Sequence, residues 1–207
     1  MIISSIVEFD KKRNKIFIDG EFAFVLYKGE LRSFGIKEGE AIPEETYLEI
    51  TKTLLPKRAT KRAMELLTKK DYTEKKLRDK LADGLYSEDV IDAAIDYVKS
   101  YNYLDDERYA RDYISYNIEY RSKNRIKQDL MTRGVPKDII DSVLAEFTDE
   151  QCRDAEMEQI GRLLVKKHYD TSMDYKDKQK IIAFLLRKGY SMDAIRSAMN
   201  NDDIYFE

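Results

Sequence analysis

Thr73-Glu74-Lys75-Lys76-Leu77-Arg78-Asp79-Lys80-Leu81 decides the fold, because the same pattern returns twice. It reappears as Ser122-Lys123-Asn124-Arg125-Ile126-Lys127-Gln128-Asp129-Leu130 and again as Asp177-Lys178-Gln179-Lys180-Ile181-Ile182-Ala183-Phe184-Leu185. Each copy opens on a good N-cap residue, Thr73, Ser122 or Asp177, whose side-chain oxygen can accept from free backbone N–H groups. Each then carries an apolar residue four positions on and another eight on, which places both on one helix face. Three copies at a spacing of about 50 residues are the mark of a helical repeat array.

Working outward, each stretch meets a turn and a further helix. The turns are Gly84-Leu85-Tyr86-Ser87, Arg133-Gly134-Val135-Pro136 and Lys188-Gly189-Tyr190-Ser191. Glycine suits the left-handed residue that ends a helix, and in the first copy it sits one place early, at Gly84. Ser87 and Ser191 suit the next N-cap, and Pro136 suits the same position. The third helices match position for position: Val90, Ile91, Ala94, Ile95; Ile139, Ile140, Val143, Leu144; Ala194, Ile195, Ala198, Met199. A less similar leading helix precedes each copy, over about 58–69, 106–120 and 149–167, the last with Thr148 and Gln151 as a capping box. Units this small should stack on one another.

Residues 1–56 differ. Ile2–Phe9 is strand-like, Asp10–Asn14 is a charged turn, and Lys15–Ile18 is a second strand. Asp19-Gly20 is a strong turn dipeptide before a third strand, Glu21–Tyr27. Gly35–Gly39 forms a loop, and Pro43-Glu44-Glu45 opens a helix. The expected architecture is mainly α: an N-terminal β-meander plus helix (1–56), then three tandem three-helix repeats (57–103, 104–147, 148–207) in an elongated, curved array.

The composition sets further bounds. Of 207 residues, 37% are charged, against about 25% in an average protein, while proline and glycine number only 3 and 8. That favours helix. One cysteine, Cys152, and one histidine, His168, make an internal disulfide impossible and a Cys/His metal cluster untenable. The apolar start, Met1–Phe9, has neither the length of a membrane span nor the layout of a signal peptide, since Asp10, Lys11, Lys12 and Arg13 follow at once, so a cytoplasmic protein is expected.

Charge follows the repeat. Residues 57–80 hold ten Lys/Arg and four Asp/Glu; 83–107 hold eight acids and one Lys; 119–137 hold six bases and two acids; 138–158 hold eight acids and one Arg; 162–188 hold eight bases and three acids. Basic helix faces at regular intervals suit a polyanion or a filament whose subunits also repeat. The competing reading is that acidic third helices simply pair with basic second helices. A pI near 5.5 argues against DNA as the only partner.

Catalytic motifs are missing. There is no GxxxxGK[ST] loop, no GxGxxG and no GxSxG elbow. His168 reads as a solvated helix end and Cys152 as an inert helix residue. Asp105, Asp106 and Glu107 read as first-turn acids complementing a helix dipole. Tyr109, Tyr113, Tyr116 and Tyr120 fall at helical spacing, as a packed face or as a base-stacking platform.

Leu104-Asp105-Asp106-Glu107-Arg108-Tyr109-Ala110, with Arg125–Leu130 and Gly134-Val135, resembles the central motif of the RecX family. Its residues Asp105, Asp106, Tyr109, Ala110, Ile126, Leu130 and Gly134 read as structural. Arg62–Leu67, Leu77–Leu81 and Ile91–Ile95 are similar to that family's first repeat, and the N-terminal strands resemble an extension seen in some members. Ser122-Lys123-Asn124 departs from the Gly-containing turn expected before Arg125. The resemblance implies a non-enzymatic regulator, without cofactor, that binds the RecA recombinase, chiefly its filament on single-stranded DNA. It implies limits on filament growth, ATP turnover and strand exchange, in recombination and DNA repair. The contact is expected on the second helices: Lys75, Lys76, Arg78; Lys123, Arg125, Lys127, Arg133; Lys178, Lys180, Arg187, Lys188. A monomer with at most weak direct DNA contact is expected. A helix–turn–helix DNA-binding module and a helical scaffold for another partner remain the alternatives.

Overall fold

The computed structural model describes residues 1–147 and 149–200, without the side chains of 149–152. The Thr148–Gln151 capping box and Cys152 therefore lie outside the described residues. Two compact units emerge, Met1–Asp105 and the chain from Asp106 onward.

The first unit opens with an antiparallel meander: β1 (Ile3–Glu8), β2 (Arg13–Ile18) and β3 (Glu21–Tyr27), in that spatial order. Asp19 (φ 50) and Gly20 (φ 89) are both left-handed, as a two-residue turn between twisted strands requires. Strand β2 begins two residues earlier than the sequence suggests. The reason is Asp10, whose carboxylate accepts from the backbone N–H of Lys12 (2.9 Å) and Arg13 (2.8 Å) and closes the turn early. A short helix, α1 (Lys28–Ser33), follows at once, in a stretch for which the sequence offers no strong signal. Glu30 secures it by reaching back to accept from the Tyr27 backbone N–H at 2.7 Å.

From Glu44 to Leu67 the chain is helical throughout: α2 (Glu44–Glu49), a π-helical turn (Ile50–Leu54) and α3 (Leu55–Leu67). Pro56 falls in the first turn of α3. Proline has no N–H to donate and its ring crowds the preceding turn. The wider π turn just before it lets the helix continue. Helices α4 (Glu74–Ala82) and α5 (Glu88–Ser100) complete the first repeat. Ile16, Phe24 and Leu26 of the sheet share one core with Ala59 and Ala63 of α3, Leu77 and Leu81 of α4, and Ile91 and Ile95 of α5. The meander thus packs on the first repeat, which supplies the cover three strands need.

The second unit holds the other two repeats. Helices α6 (Asp106–Asn117), α7 (Lys123–Thr132) and α8 (Lys137–Glu146) enclose Ala110, Ile114, Ile126, Leu130, Ile140 and Val143. Helices α9 (Asp149–Lys166), α10 (Tyr175–Arg187) and α11 (Met192–Met199) enclose Ile160, Leu164, Ile181, Leu185, Ile195 and Ala198. Thr73 and Ser122 cap α4 and α7 as expected. In the third repeat the cap is Asp174, not Asp177. Its carboxylate accepts from the Asp177 backbone N–H at 2.7 Å, so α10 starts one turn earlier and Asp177 lies in its first turn. Either start leaves Ile181 and Leu185 facing the core.

The two repeats of this unit keep separate cores and meet through a polar seam. The buried Ser122 hydroxyl accepts from Arg125 N–H (3.2 Å) and donates to the Lys188 carbonyl (2.9 Å). Asn124 donates to the Gly189 carbonyl at 3.0 Å, and Glu156 accepts from the Lys123 backbone N–H at 2.8 Å. Buried Gln159 donates to the Ile118 carbonyl (2.7 Å) and accepts from the Tyr190 hydroxyl (2.8 Å). Each of these backbone groups lies at a helix terminus, where no intrahelical partner exists.

The helix-ending turns differ in one informative way. Gly134 (φ 88) and Gly189 (φ 91) are left-handed, four residues after Leu130 and Leu185. The matching residue after Leu81 is Leu85, held at φ 59. A side chain there costs about 1 kcal/mol of backbone strain. Leu85→Gly is expected to raise the urea midpoint, by about 0.5–1 kcal/mol of stability. A Cβ at Gly84 would stand 2.9 Å from the Tyr86 ring and 3.0 Å from the Leu81 carbonyl. Gly84→Ala should therefore destabilise by about 1–3 kcal/mol, and equal midpoints for the two variants would contradict this account.

The seam makes its own prediction. A Cβ at Gly189 would lie 2.7 Å from Ser122 Oγ and would also occupy the left-handed region. Gly189→Ala should lower stability by about 2 kcal/mol, and Ser122→Ala by about 1 kcal/mol through its lost cap. The two losses share a contact, so the double variant should lose less than their sum, measured by denaturant titration.

Candidate partner-binding site

Several candidate cations of the second helices are tied within the repeat. Arg78 pairs with Glu74 (2.9 Å) on its own helix and with Asp92 on α5 (2.6 Å). Lys127 pairs with Asp141 on α8. Arg78 and Lys127 each follow the first core residue of their helix, and Asp92 and Asp141 each follow Ile91 and Ile140. The same rung thus joins second and third helices in the first two repeats. Burial pushes the Glu74 carboxyl up, but hydrogen bonds from Lys99 and Arg78 outweigh it and hold its pKa below the ordinary value. In the third repeat the rung positions carry Ile182 and Arg196, so no ion pair forms there.

The remaining candidates vary. Lys75 is exposed and makes no ion pair among the described residues, while Lys76 lies 3.7 Å from Asp79. Arg133 donates to the Tyr109 hydroxyl (2.9 Å) and sits over the Tyr113 ring at 4.8 Å. Lys123 is half-buried at the seam. Lys178 donates to the Thr171 carbonyl and Lys180 pairs with Asp177, both at 2.6 Å. Such half-exposed pairs stabilise little, because water screens them, and a partner's anion can replace them.

Three candidates converge. Arg125, Arg187 and Lys188 line a groove of about 590 Å³ along the seam of the second unit, and Arg121 and Arg162 join them. Five cations therefore face a space lined by one acid, Glu119. Asp129 holds Arg121 at 2.5 Å and Arg125 at 3.1 Å, and Arg121 also donates to the Tyr113 hydroxyl at 3.1 Å. Arg162 donates to the Glu119 carbonyl at 3.0 Å. Arg187 makes no ion pair among the described residues, and Lys188 Nζ lies 5.2 Å from the Phe184 ring. Tyr190 closes the floor, and burial pushes its phenol up to about 12. Guanidinium groups held in place by neighbours are suited to gripping carboxylate or phosphate with two N–H groups.

Arg121 and Arg162 were not among the residues singled out by spacing. Neither falls on the repeated second-helix pattern: Arg121 precedes the Ser122 cap, and Arg162 lies on the leading helix α9. The tyrosine series divides. Tyr109 and Tyr113 pack on the second core, while Tyr116 and Tyr120 are 79% and 68% exposed, Tyr120 at the rim of the groove. Of the motif residues, Ala110, Ile126 and Leu130 are core, Gly134 is the left-handed turn residue, and Asp106 opens α6 just after half-buried Asp105. Ser122-Lys123-Asn124 serves as cap and seam rather than as a glycine turn. His168 is exposed at φ 53, just beyond the end of α9. Among the described residues no group of three His, Cys, Asp or Glu could hold a metal, and no helix is long and apolar enough to cross a membrane.

Family models match all three repeats: the RecX first three-helix domain over 59–97, the second over 105–144 and the third over 154–199. A regulatory protein RecX of Caldanaerobacter subterraneus subsp. tengcongensis is 33% identical over 202 residues, 97% of this chain and 99% of that one. One from Clostridium perfringens is 34% identical over 203 residues, 93% and 94% of the two chains. In fold, the chain is similar to a crystal structure of regulatory protein RecX (TM-score 0.65, 23% identity, 97% and 99% covered). It is also similar to RecX from Lactobacillus salivarius (TM-score 0.63, 23% identity, 72% and 97% covered). With three consecutive domain matches and full-length relatives above 30% identity, the chain belongs to the RecX family of regulatory proteins.

Proposed function

We propose that the protein regulates homologous recombination and DNA repair by binding RecA, chiefly its filament on single-stranded DNA. In this reading it limits filament growth, ATP turnover and strand exchange without catalysing a reaction itself. Membership of the RecX family supports the partner, and the groove supports the place. Arg121, Arg125, Arg162, Arg187 and Lys188 form the central contact, where five cations meet one acid. Exposed Lys75, Lys76, Arg133 and Lys180 and half-buried Arg78, Lys123, Lys127 and Lys178 are supporting contacts, and those with an internal partner exchange it for an external one. A filament presents carboxylates and phosphates at a regular spacing, which suits a chain that repeats.

The DNA-binding alternative requires a basic third helix in each repeat. Helix α5 instead carries Glu88, Asp89, Asp92 and Asp96 against Lys99, and α8 carries Asp138, Asp141 and Glu146 against Lys137. Repulsion from phosphate disfavours that mode.

Purified protein added to RecA on single-stranded DNA is expected to lower ATP hydrolysis and strand exchange. Arg162→Glu/Arg187→Glu, at two exposed positions, should raise the amount needed by about tenfold or more. A wild-type protein that neither binds RecA nor changes its turnover at any ratio overturns the RecA reading. A double variant as potent as wild type overturns the groove.

A further inference from the structure

The first unit contains a second basic concavity, and of its cations only Lys80 lies on a second helix. Its walls come from three segments. The β1–β2 turn contributes Lys11, Lys12 and Arg13, α3 contributes Lys61 and Arg62, and the end of α4 contributes Lys80. Arg58, Tyr27 and Tyr86 also line it, and its volume is about 810 Å³. The turn is held firmly. Asp10 closes it from within, and the Lys12 carbonyl accepts from the Lys28 backbone N–H at 3.0 Å, which ties the turn to the start of α1. Arg58 is fixed as well: it donates to Glu30 (2.8 Å) and to the Val25 carbonyl (2.5 Å), and its guanidinium lies 5.2 Å from the Tyr27 ring.

The charge balance is the telling feature. Seven cations line the basin against three acids, in a chain where acids outnumber bases 40 to 37. Each of those acids is already engaged: Asp10 with Arg13 at 2.7 Å, Asp83 with Lys80 at 2.9 Å, and Glu65 beside Arg62 at 3.8 Å. Lys11, Lys12 and Lys61 make no ion pair among the described residues. A flat solvated face would let such charges spread apart. A concave wall instead concentrates their field and raises the local concentration of anions.

The shape selects among anions. A duplex about 20 Å wide does not enter a basin of this volume, whereas two or three nucleotides of a flexible single strand fill about that space. Lysine point charges on three sides suit successive phosphates, and Tyr27, 39% exposed, offers aromatic surface for a base. We propose that this basin, built by the N-terminal meander on the first repeat, is a binding site for the phosphodiester backbone of single-stranded nucleic acid. It acts without RecA and apart from the seam groove, so the N-terminal segment has a role of its own.

The test uses the full chain alone with a fluorescently labelled oligothymidylate, followed by anisotropy over a range of salt. Wild type should bind with strong salt dependence. Lys11→Gln/Lys12→Gln/Lys61→Gln removes three cations that hold no ion pair, so its circular dichroism and melting should match wild type. Its affinity should fall about tenfold or more, and the slope of log K against log salt should shrink by about 0.7 per lost phosphate contact. Arg162→Glu/Arg187→Glu should bind the strand as wild type does. No binding by wild type, unchanged affinity in the triple variant, or loss in the groove variant alone overturns the proposal. So does displacement of the strand by tripolyphosphate or polyglutamate at matched charge as effectively as by unlabelled oligothymidylate. The first of these would mark a small-phosphate site and the second a surface for acidic protein segments. A failure here leaves the RecA reading standing, because no RecA is present.

Discussion

Two apolar side chains one helical turn apart, on the second helix of each repeat, are what the structure is organised around. Leu77 and Leu81, Ile126 and Leu130, and Ile181 and Leu185 are all buried, five of the six at 1% exposure or less and Ile181 at 7%. A helix of nine or ten residues, such as α4 or α7, does not hold together in water by itself. It persists because this stripe is covered by the leading helix on one side and the third helix on the other. In the first repeat the leading helix presents Ala59 and Ala63 and the third presents Ala94, all fully buried. Small residues let those helices approach closely, and the core extends past them to the sheet. Among the described residues the second and third repeats have no such sheet, and each closes on eight buried residues.

A core of that size leaves the helix ends as the next problem. The first N–H groups and last carbonyls of a helix need partners, and several of those at the seam are partly buried. The two repeats of the second unit solve this for each other. Ser122 and Asn124 of one satisfy the carbonyls just past α10 in the other, while Gln159 and Arg162 of the second satisfy those just past α6 in the first. The bonds are directional, so they fix register more firmly than apolar contact would. They also account for one of the groove arginines: Arg162 completes the seam with one N–H and still lines the groove.

Much of this was legible in the sequence, and the boundary between what was and was not has physical causes. Repeats, core stripes, the Asp19-Gly20 turn and most caps follow from local rules, since each depends on residues within one or two turns of itself. The start of α10 was misplaced because Asp174 and Asp177 are both good caps one turn apart, and spacing from Ile181 favours the later one. Helix α1 was missed because a six-residue helix with Gly29 inside carries almost no periodic signal. Leu85 shows the opposite case: the turn geometry recurs without its glycine, so the alignment of turns holds while the residue rule fails. The seam groove was only half visible. Arg125, Arg187 and Lys188 lie on or beside the repeated helices, but Arg121 and Arg162 reach the groove through contacts between repeats, which no single copy encodes.

The same distinction bears on what the charge pattern means. Counting bases and acids along the chain suggests three equivalent basic helices, yet the Arg78–Asp92 and Lys127–Asp141 rungs show that part of this charge links second to third helices. Such a rung belongs to the repeat and recurs with it. In the third repeat Ile182 and Arg196 replace it, so α10 spends none of its charge on α11 in this way. Arg187 and Lys188, at the end of that helix, are left to face the seam. Some periodic charges therefore link helices within a repeat, while Arg125, Arg187 and Lys188 of the repeated helices meet the aperiodic Arg121 and Arg162 in a concave space with one acid. For a protein with net charge −3, attraction for an anion has to be local, and it comes from the convergence of cations from different helices rather than from the total.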